Sequence, residues 1–233
     1  MKRLINKFWL ILLLIPVDIF PQVSYSLYVG VGTYGMVDLK EINRQQALNL
    51  PIETIKVDNF NPGFFPGISA NTELSEYLSL GFYYQYYTTG SRIGQRDYSG
   101  YYAFDQIVNG HFISLAPEFL IEERDLISVS FVLQAGFIFS SMKIKETLSL
   151  SGQTQSDSET FAAGSFSVLP EVKACIPVYK MISGIASIGY FYDSGGKIHL
   201  KGNHKAVVHL NDSPVKTGWS GFRVSLGIRF DFN

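Results

Sequence analysis

The chain has 233 residues, of which 46% are hydrophobic, 15% aromatic and only 17% charged, with a net charge of -1. That size allows one large β domain or two small ones. A near-zero charge with no basic stretch excludes the electrostatic footprint of a nucleic-acid binder, and the single cysteine, Cys175, excludes an intrachain disulfide.

The chain begins as a targeting segment. Residues 1–7 carry Lys2, Arg3 and Lys7, and Phe8 to Val17 is an apolar run of ten. That is too short to span a bilayer as a helix and has the layout of a secretory signal peptide. No Ala-x-Ala marks the cut, which is placed between Pro21 and Ser26; the expected division is a removed signal peptide over 1–21 and one domain over 22–233. The remainder holds no stretch of about 18 apolar residues, so no helical span is expected.

From Tyr25 onward the pattern has period two, the signature of strands with two unlike faces. The predicted strands are Ser26–Met36, Phe64–Leu74, Leu78–Tyr87, Gly110–Leu120, Leu126–Phe139, Phe166–Ile176, Ile182–Tyr192 and the C-terminal run Ser220–Asn233. The last is the cleanest. Phe222, Val224, Leu226, Ile228, Phe230 and Phe232 alternate without exception with Gly221, Arg223, Ser225, Gly227, Arg229 and Asp231. Short connections (75–77, 122–125, 177–180) alternate with long polar ones (38–61, 88–108, 140–160, 193–218), which puts every long loop at one end. Leu115-Ala-Pro-Glu118 and Val168-Leu-Pro-Glu171 open two similar hairpin units. The reading is all-β: an eight-stranded antiparallel up-and-down barrel.

An eight-stranded barrel can also carry its apolar face inward. Three features favour the opposite. The second face is rich in Gly and Ser, which suits a crowded lumen. The apolar runs reach about ten residues, enough for a tilted strand to cross a membrane. Tyr83, Tyr84, Tyr86, Tyr87, Phe137, Phe139, Tyr190, Phe191 and Tyr192 gather near strand ends, as in interfacial girdles. The expectation is a transmembrane barrel.

Ser225-x-Gly227-x-x-Phe230-x-Phe232 resembles the C-terminal assembly signal of small outer-membrane β-barrels of Gram-negative bacteria, the class that includes the transmembrane domain of outer membrane protein A and its X and W relatives. The resemblance implies recognition of Ser225, Gly227, Phe230 and Phe232 by the barrel-assembly machinery, periplasmic termini, extracellular long loops and residence in the cell outer membrane. Asn233 departs from the pattern, because the aromatic residue is penultimate.

With the apolar faces outward, Glu73, Glu118, Glu171, Lys173, Arg223, Arg229 and Asp231 project into the lumen. Buried charges are costly unless paired, so they are expected to form an ion-pair network that plugs the barrel. His199, His204 and His209 lie five apart; a turn at Gly202-Asn203 would bring His199 near His209. No carboxylate or cysteine joins them, and Lys201 and Lys205 repel a cation, so no metal is expected, nor any other cofactor. Some barrels of this size modify lipid A with an adjacent His and Ser. Here His111 and Ser114 are three apart and fall on opposite strand faces, so no enzyme is expected. The Tyr-, Gly-, Ser- and Arg-rich stretch 90–104 suits an adaptable binding surface. The expected role is structural or surface-interactive, through the long loops of a monomer set in outer-membrane lipid. The alternative is a narrow channel for small or hydrophobic solutes.

Overall fold

The computed structural model describes residues 22–49, 55–96, 98, 100–124, 126–151 and 153–232. The expected signal peptide, the loop segment 50–54 and Asn233 lie outside them.

Eight strands close a ring. They are β1 (Val23–Gly32), β3 (Gly63–Ser75), β4 (Leu78–Arg96), β5 (Gly100–Arg124), β6 (Ile127–Leu150), β7 (Gln153–Tyr179), β8 (Ile182–Asp193) and β13 (Gly221–Phe232). Each pairs antiparallel with its neighbours, and β13 closes the ring by pairing with β1 on one edge and β8 on the other. Closure removes the unpaired edges that a membrane core cannot satisfy.

The period-two pattern sets the two walls. On β13, Phe222, Val224, Leu226, Ile228 and Phe232 are exposed, Leu226 at 64%, whereas Arg223 and Ser225 are buried at 2% and 7%. Leu27, Val29 and Val31 on β1 and Phe137 and Phe139 on β6 also face out. Small inward residues let large ones lie across the lumen. A Cβ added to Gly67 would sit 2.2 Å from the Tyr28 ring. The prolines of the two similar hairpin units are tolerated by a local gap. Ladder pairs are missing at Ala116 and Pro117 on the β6 side and at Leu169 and Pro170 on the β8 side, with the register unchanged across both.

Several expected boundaries move. The first strand starts at Val23 and stops at Gly32, and Tyr34 and Met36 turn into the interior. The segment 38–61 is not irregular. It holds the helix α1 (Val37–Asn49) and the short strand β2 (Ile55–Asn59), which pairs with β4. The segments 88–108 and 140–160 are not loops. The β4–β5, β5–β6 and β6–β7 ladders run unbroken to Arg96↔Tyr101, Gly100↔Leu150 and Leu150↔Gln153. Their polar residues hid this, because outside the membrane a strand needs no apolar face. From Phe139 to Leu150 these arms rise about 36 Å at the usual strand spacing. The segment 193–218 contributes β9 (His199–Leu200), β10 (Asn203–Val207), β11 (His209–Leu210) and β12 (Ser213–Pro214). The last two form a hairpin whose turn residues, Asn211 and Asp212, both have positive φ, as a two-residue turn requires.

Candidate functional site

The lumen is filled in layers. At the short-turn end, where Val23 and Phe232 lie, a cavity of about 650 Å³ opens outward. Arg229 sits on its wall. Its Nε donates to Asp231 Oδ1 at 2.6 Å, and its guanidinium lies 3.8 Å from Glu73. The floor of this vestibule is the buried ion pair between Lys173 and Glu118.

Above the ion pair lies a belt of hydrogen bonds. Gln85 Nε2 donates to the Tyr28 hydroxyl at 3.0 Å and to Gln134 Oε1 at 3.2 Å. Gln134 Nε2 donates to Glu171 Oε1 at 2.8 Å, and Ser114 donates to Gln134 Oε1. Ser187 donates to Glu171 Oε2 at 3.0 Å and contacts Ser225 at 2.8 Å. Tyr28, Gln85, Ser114, Gln134, Glu171, Ser187 and Ser225 come from β1, β4, β5, β6, β7, β8 and β13, so the belt ties together every barrel strand except β3. Room for about one water remains among these side chains, about 20 Å³.

The third layer is an aromatic cage around Arg223. Its Cζ lies 4.9, 4.9 and 5.0 Å from the ring centroids of Tyr34, Tyr87 and Phe191. Nη1 donates to the Thr33 carbonyl at 2.6 Å and Nη2 to the Trp219 carbonyl at 2.7 Å. Trp219 is fully buried, and its indole N–H donates to Ser140 Oγ at 2.8 Å. Asp193, at the end of β8, fastens the base of the last loop. It accepts from Ser165, Ser167 and the backbone N–H of Gly195 through Oδ1, and from the backbone N–H of Trp219 through Oδ2.

The expected charge network therefore divides. Lys173 meets Glu118, and Arg229 meets Asp231 and Glu73. Glu171 is held by Gln134 and Ser187. Arg223 stands apart from the glutamates, at the far end of the lumen, with backbone carbonyls and aromatic faces as its partners. The even spacing of inward positions placed all these residues inside, but the depth of each followed only from the register. Trp219 and Asp193 were missed because they lie at the two ends of the segment 193–219, which carries no strand periodicity of its own. Tyr83, Tyr87 and Phe191 depart from the girdle expectation: they are buried inside, while Tyr84, Tyr86, Phe137, Phe139, Tyr190 and Tyr192 lie on the outer wall. Phe230 and Phe232 also lie on that wall, with Phe232 packed edge-on against Tyr25, and Gly227 passes beneath Tyr28.

On the outer wall His111 accepts or shares a 2.8 Å hydrogen bond with Tyr84, while Ser114 is buried in the lumen. In the last loop the turn falls at Lys201-Gly202, because Leu200 pairs with Asn203. This brings the His199 and His204 rings to 4.4 Å, and His209 pairs instead across the β11–β12 hairpin. No group of three metal-ligating side chains forms among the described residues.

No protein-family model and no curated protein matches the chain. Among solved structures it is similar to a major outer membrane protein from Thermus thermophilus, at 12% identity over 90% of this chain and 99% of that one, with a TM-score of 0.51. The attachment invasion locus protein of Yersinia pestis matches at 15% identity over 91% and 98%, with a TM-score of 0.39. Neisserial surface protein A matches at 12% over 91% and 97%, with a TM-score of 0.44. The chain is an integral outer-membrane β-barrel. A closed ring, an apolar outer wall and a polar interior are what such a barrel needs in lipid.

Above the lipid-facing wall, the extended arms of β4, β5, β6 and β7 form one antiparallel sheet, flanked by β2 beside β4 and by β9 beside β7. α1 covers part of one face. Gln106 donates to Asn43 Oδ1 at 2.7 Å, Gln46 to the Tyr102 hydroxyl at 3.1 Å, and Ile42 and Ala47 pack on Ile93, Tyr102 and Phe104. The exposed face of α1 carries a Glu41–Arg44 pair, which holds the Glu41 carboxyl below the usual carboxylate range.

Proposed function

We propose that this protein acts at the cell surface as an interaction platform, with the extracellular sheet as the working part and the barrel as its anchor. The single observation that carries the reading is the contrast between the two ends. The lumen is closed by an ion pair, a hydrogen-bonded belt and an aromatic cage, while four strands continue outward as an ordered sheet. A lumen packed by a buried ion pair, a hydrogen-bonded belt that joins seven strands and a caged guanidinium resists opening, which argues against a conducting path. The chain reads as a non-enzyme, since His111 and Ser114 occupy opposite walls. It also reads as a monomer held by lipid and delivered by the barrel-assembly machinery.

The test has two measurements. Purified protein in planar bilayers should give no conductance steps. Cells carrying a variant in which residues 143–160 are replaced by Asn-Gly, which shortens both arms equally because Lys143 pairs with Thr160, should lose attachment to protein-coated surfaces. Steady channel events, or unchanged attachment, would sink the reading.

A further inference from the structure

The extracellular sheet has a long open edge on β7. β7 pairs with β6 from Gln153 to Cys175, but on its other side β9 reaches only Phe161 and Ala162, and the Lys201 N–H closes on the Thr160 carbonyl at 3.0 Å. Among the described residues nothing pairs with residues 153–159 on that side. The Thr160 carbonyl points to the open side, and successive residues of a strand alternate sides. Thr154, Ser156 and Ser158 therefore present their N–H and C=O groups outward. The run Gln153-Thr-Gln-Ser-Asp-Ser-Glu159 has no proline or bulge to block pairing; its guards against a like strand are the carboxylates Asp157 and Glu159.

The side chains say what kind of strand fits. Asp157 and Glu159 lie on one face beside Glu146, which is directly opposite Asp157 on β6. All three are exposed, and none joins an ion pair among the described residues. On the other face Ser156, Ser158 and Thr160 offer hydroxyls, backed by Thr147, Lys145 and Lys143 one strand further in. A second copy of this chain is a poor occupant, because antiparallel self-pairing would set Asp157 and Glu159 against their own kind. An extended segment with Lys or Arg at every second position would instead place its cations along Asp157, Glu159 and Glu146 and its neutral residues along the hydroxyls.

We propose that the edge strand 153–159 is a β-augmentation site for an extended polypeptide segment carrying alternating basic residues. The proposal deepens the surface-platform reading and rests on it. Binding adds one antiparallel strand to the sheet. The Ser158 N–H, engaged at 2.8 Å by Asp157 Oδ1, transfers to the incoming carbonyl, and the freed carboxylate faces the incoming cation.

The test uses the full barrel in nanodiscs of zwitterionic lipid and a capped synthetic peptide of four Lys-Thr repeats. The peptide should bind, and its Glu-Thr counterpart should bind at least about tenfold more weakly. Ser156→Pro, which removes an outward donor without changing charge, should abolish binding while the folded gel mobility is kept. A Lys-Thr peptide N-methylated at alternate residues should also fail against the unaltered protein, which keeps the result independent of any folding defect. Asp157→Lys with Glu159→Lys should reverse the preference. Equal binding of the N-methylated and parent peptides, binding undisturbed by Ser156→Pro, or self-association through this edge would overturn the proposal. If Ser156→Pro cells attach normally while the hairpin-shortened cells do not, the edge proposal fails and the platform stands. If the barrel conducts while peptide binding behaves as stated, the platform fails and the edge site stands.

Discussion

Lys173 and Glu118 reach across the lumen from β7 and β5 and pair inside it, with both side chains more than nine-tenths buried. Removing one partner leaves a charge in a site built for two. Lys173→Met is expected to destabilise the barrel by about 3–5 kcal/mol, and adding Glu118→Leu should recover most of the loss. Urea unfolding followed by the gel-mobility shift of the folded barrel measures both. Additive losses in the double variant would show that the pair is not coupled.

Glu171 joins β6 to β8 through Gln134 and Ser187. Glu171→Ala strips the acceptor from the buried Gln134 amide and the half-buried Ser187 hydroxyl and should cost about 2–4 kcal/mol, since an unsatisfied buried donor costs about 1–3 kcal/mol. Ser225→Ala touches only one contact of the belt and should cost about 1 kcal/mol or less. The ranking of the two midpoints is the check.

Arg223 holds two loop carbonyls, those of Thr33 and Trp219, against the aromatic cage. Arg223→Met keeps bulk but gives up these bonds. The expected outcome is an intact barrel with faster hydrogen exchange at 33–36 and 216–220. A Lys replacement should rescue little, because a point charge cannot reach both carbonyls in one plane. Exchange unchanged from the native protein would refute the latch.

Trp219 is the only tryptophan after the expected signal peptide and is fully buried. Its fluorescence should be blue-shifted and shielded from acrylamide. Asp193→Asn weakens the carboxylate that receives the Trp219 backbone N–H and the Ser165 hydroxyl. It should red-shift that emission while costing about 1.5–3 kcal/mol. Emission identical to the native protein would show that Asp193 does not set the loop.

On the outer wall, Leu226→Arg should cost about 2–4 kcal/mol near the bilayer midplane, with a smaller penalty for the same change nearer the rim at Phe222. Folding yield into lipid vesicles provides the measurement. Equal yields for both variants would contradict the placement of the lipid-facing wall.

Alternation by itself determined the number of barrel strands and their phase, because a two-residue period is carried locally by the chain. The Gly- and Ser-rich composition of the second face and the length of the apolar runs then determined the side that meets lipid, and with it the list of charges that turn inward. Tertiary structure alone decided the rest. Arg223 and Arg229 share a strand face six residues apart, yet one is caged by Tyr34, Tyr87 and Phe191 and the other pairs with Asp231 and Glu73. Depth in the lumen depends on the register of eight strands together, and no single strand encodes it. The polar arms at 88–108 and 140–160 gave no apolar alternation, because a sheet standing in water is held by its ladder and its partners rather than by a greasy face. For the same reason α1 stayed hidden in a polar segment until Gln106 and Tyr102 were there to receive it, and the open edge of β7 became visible only once the ladders on its two sides, to β6 and to β9, were in place.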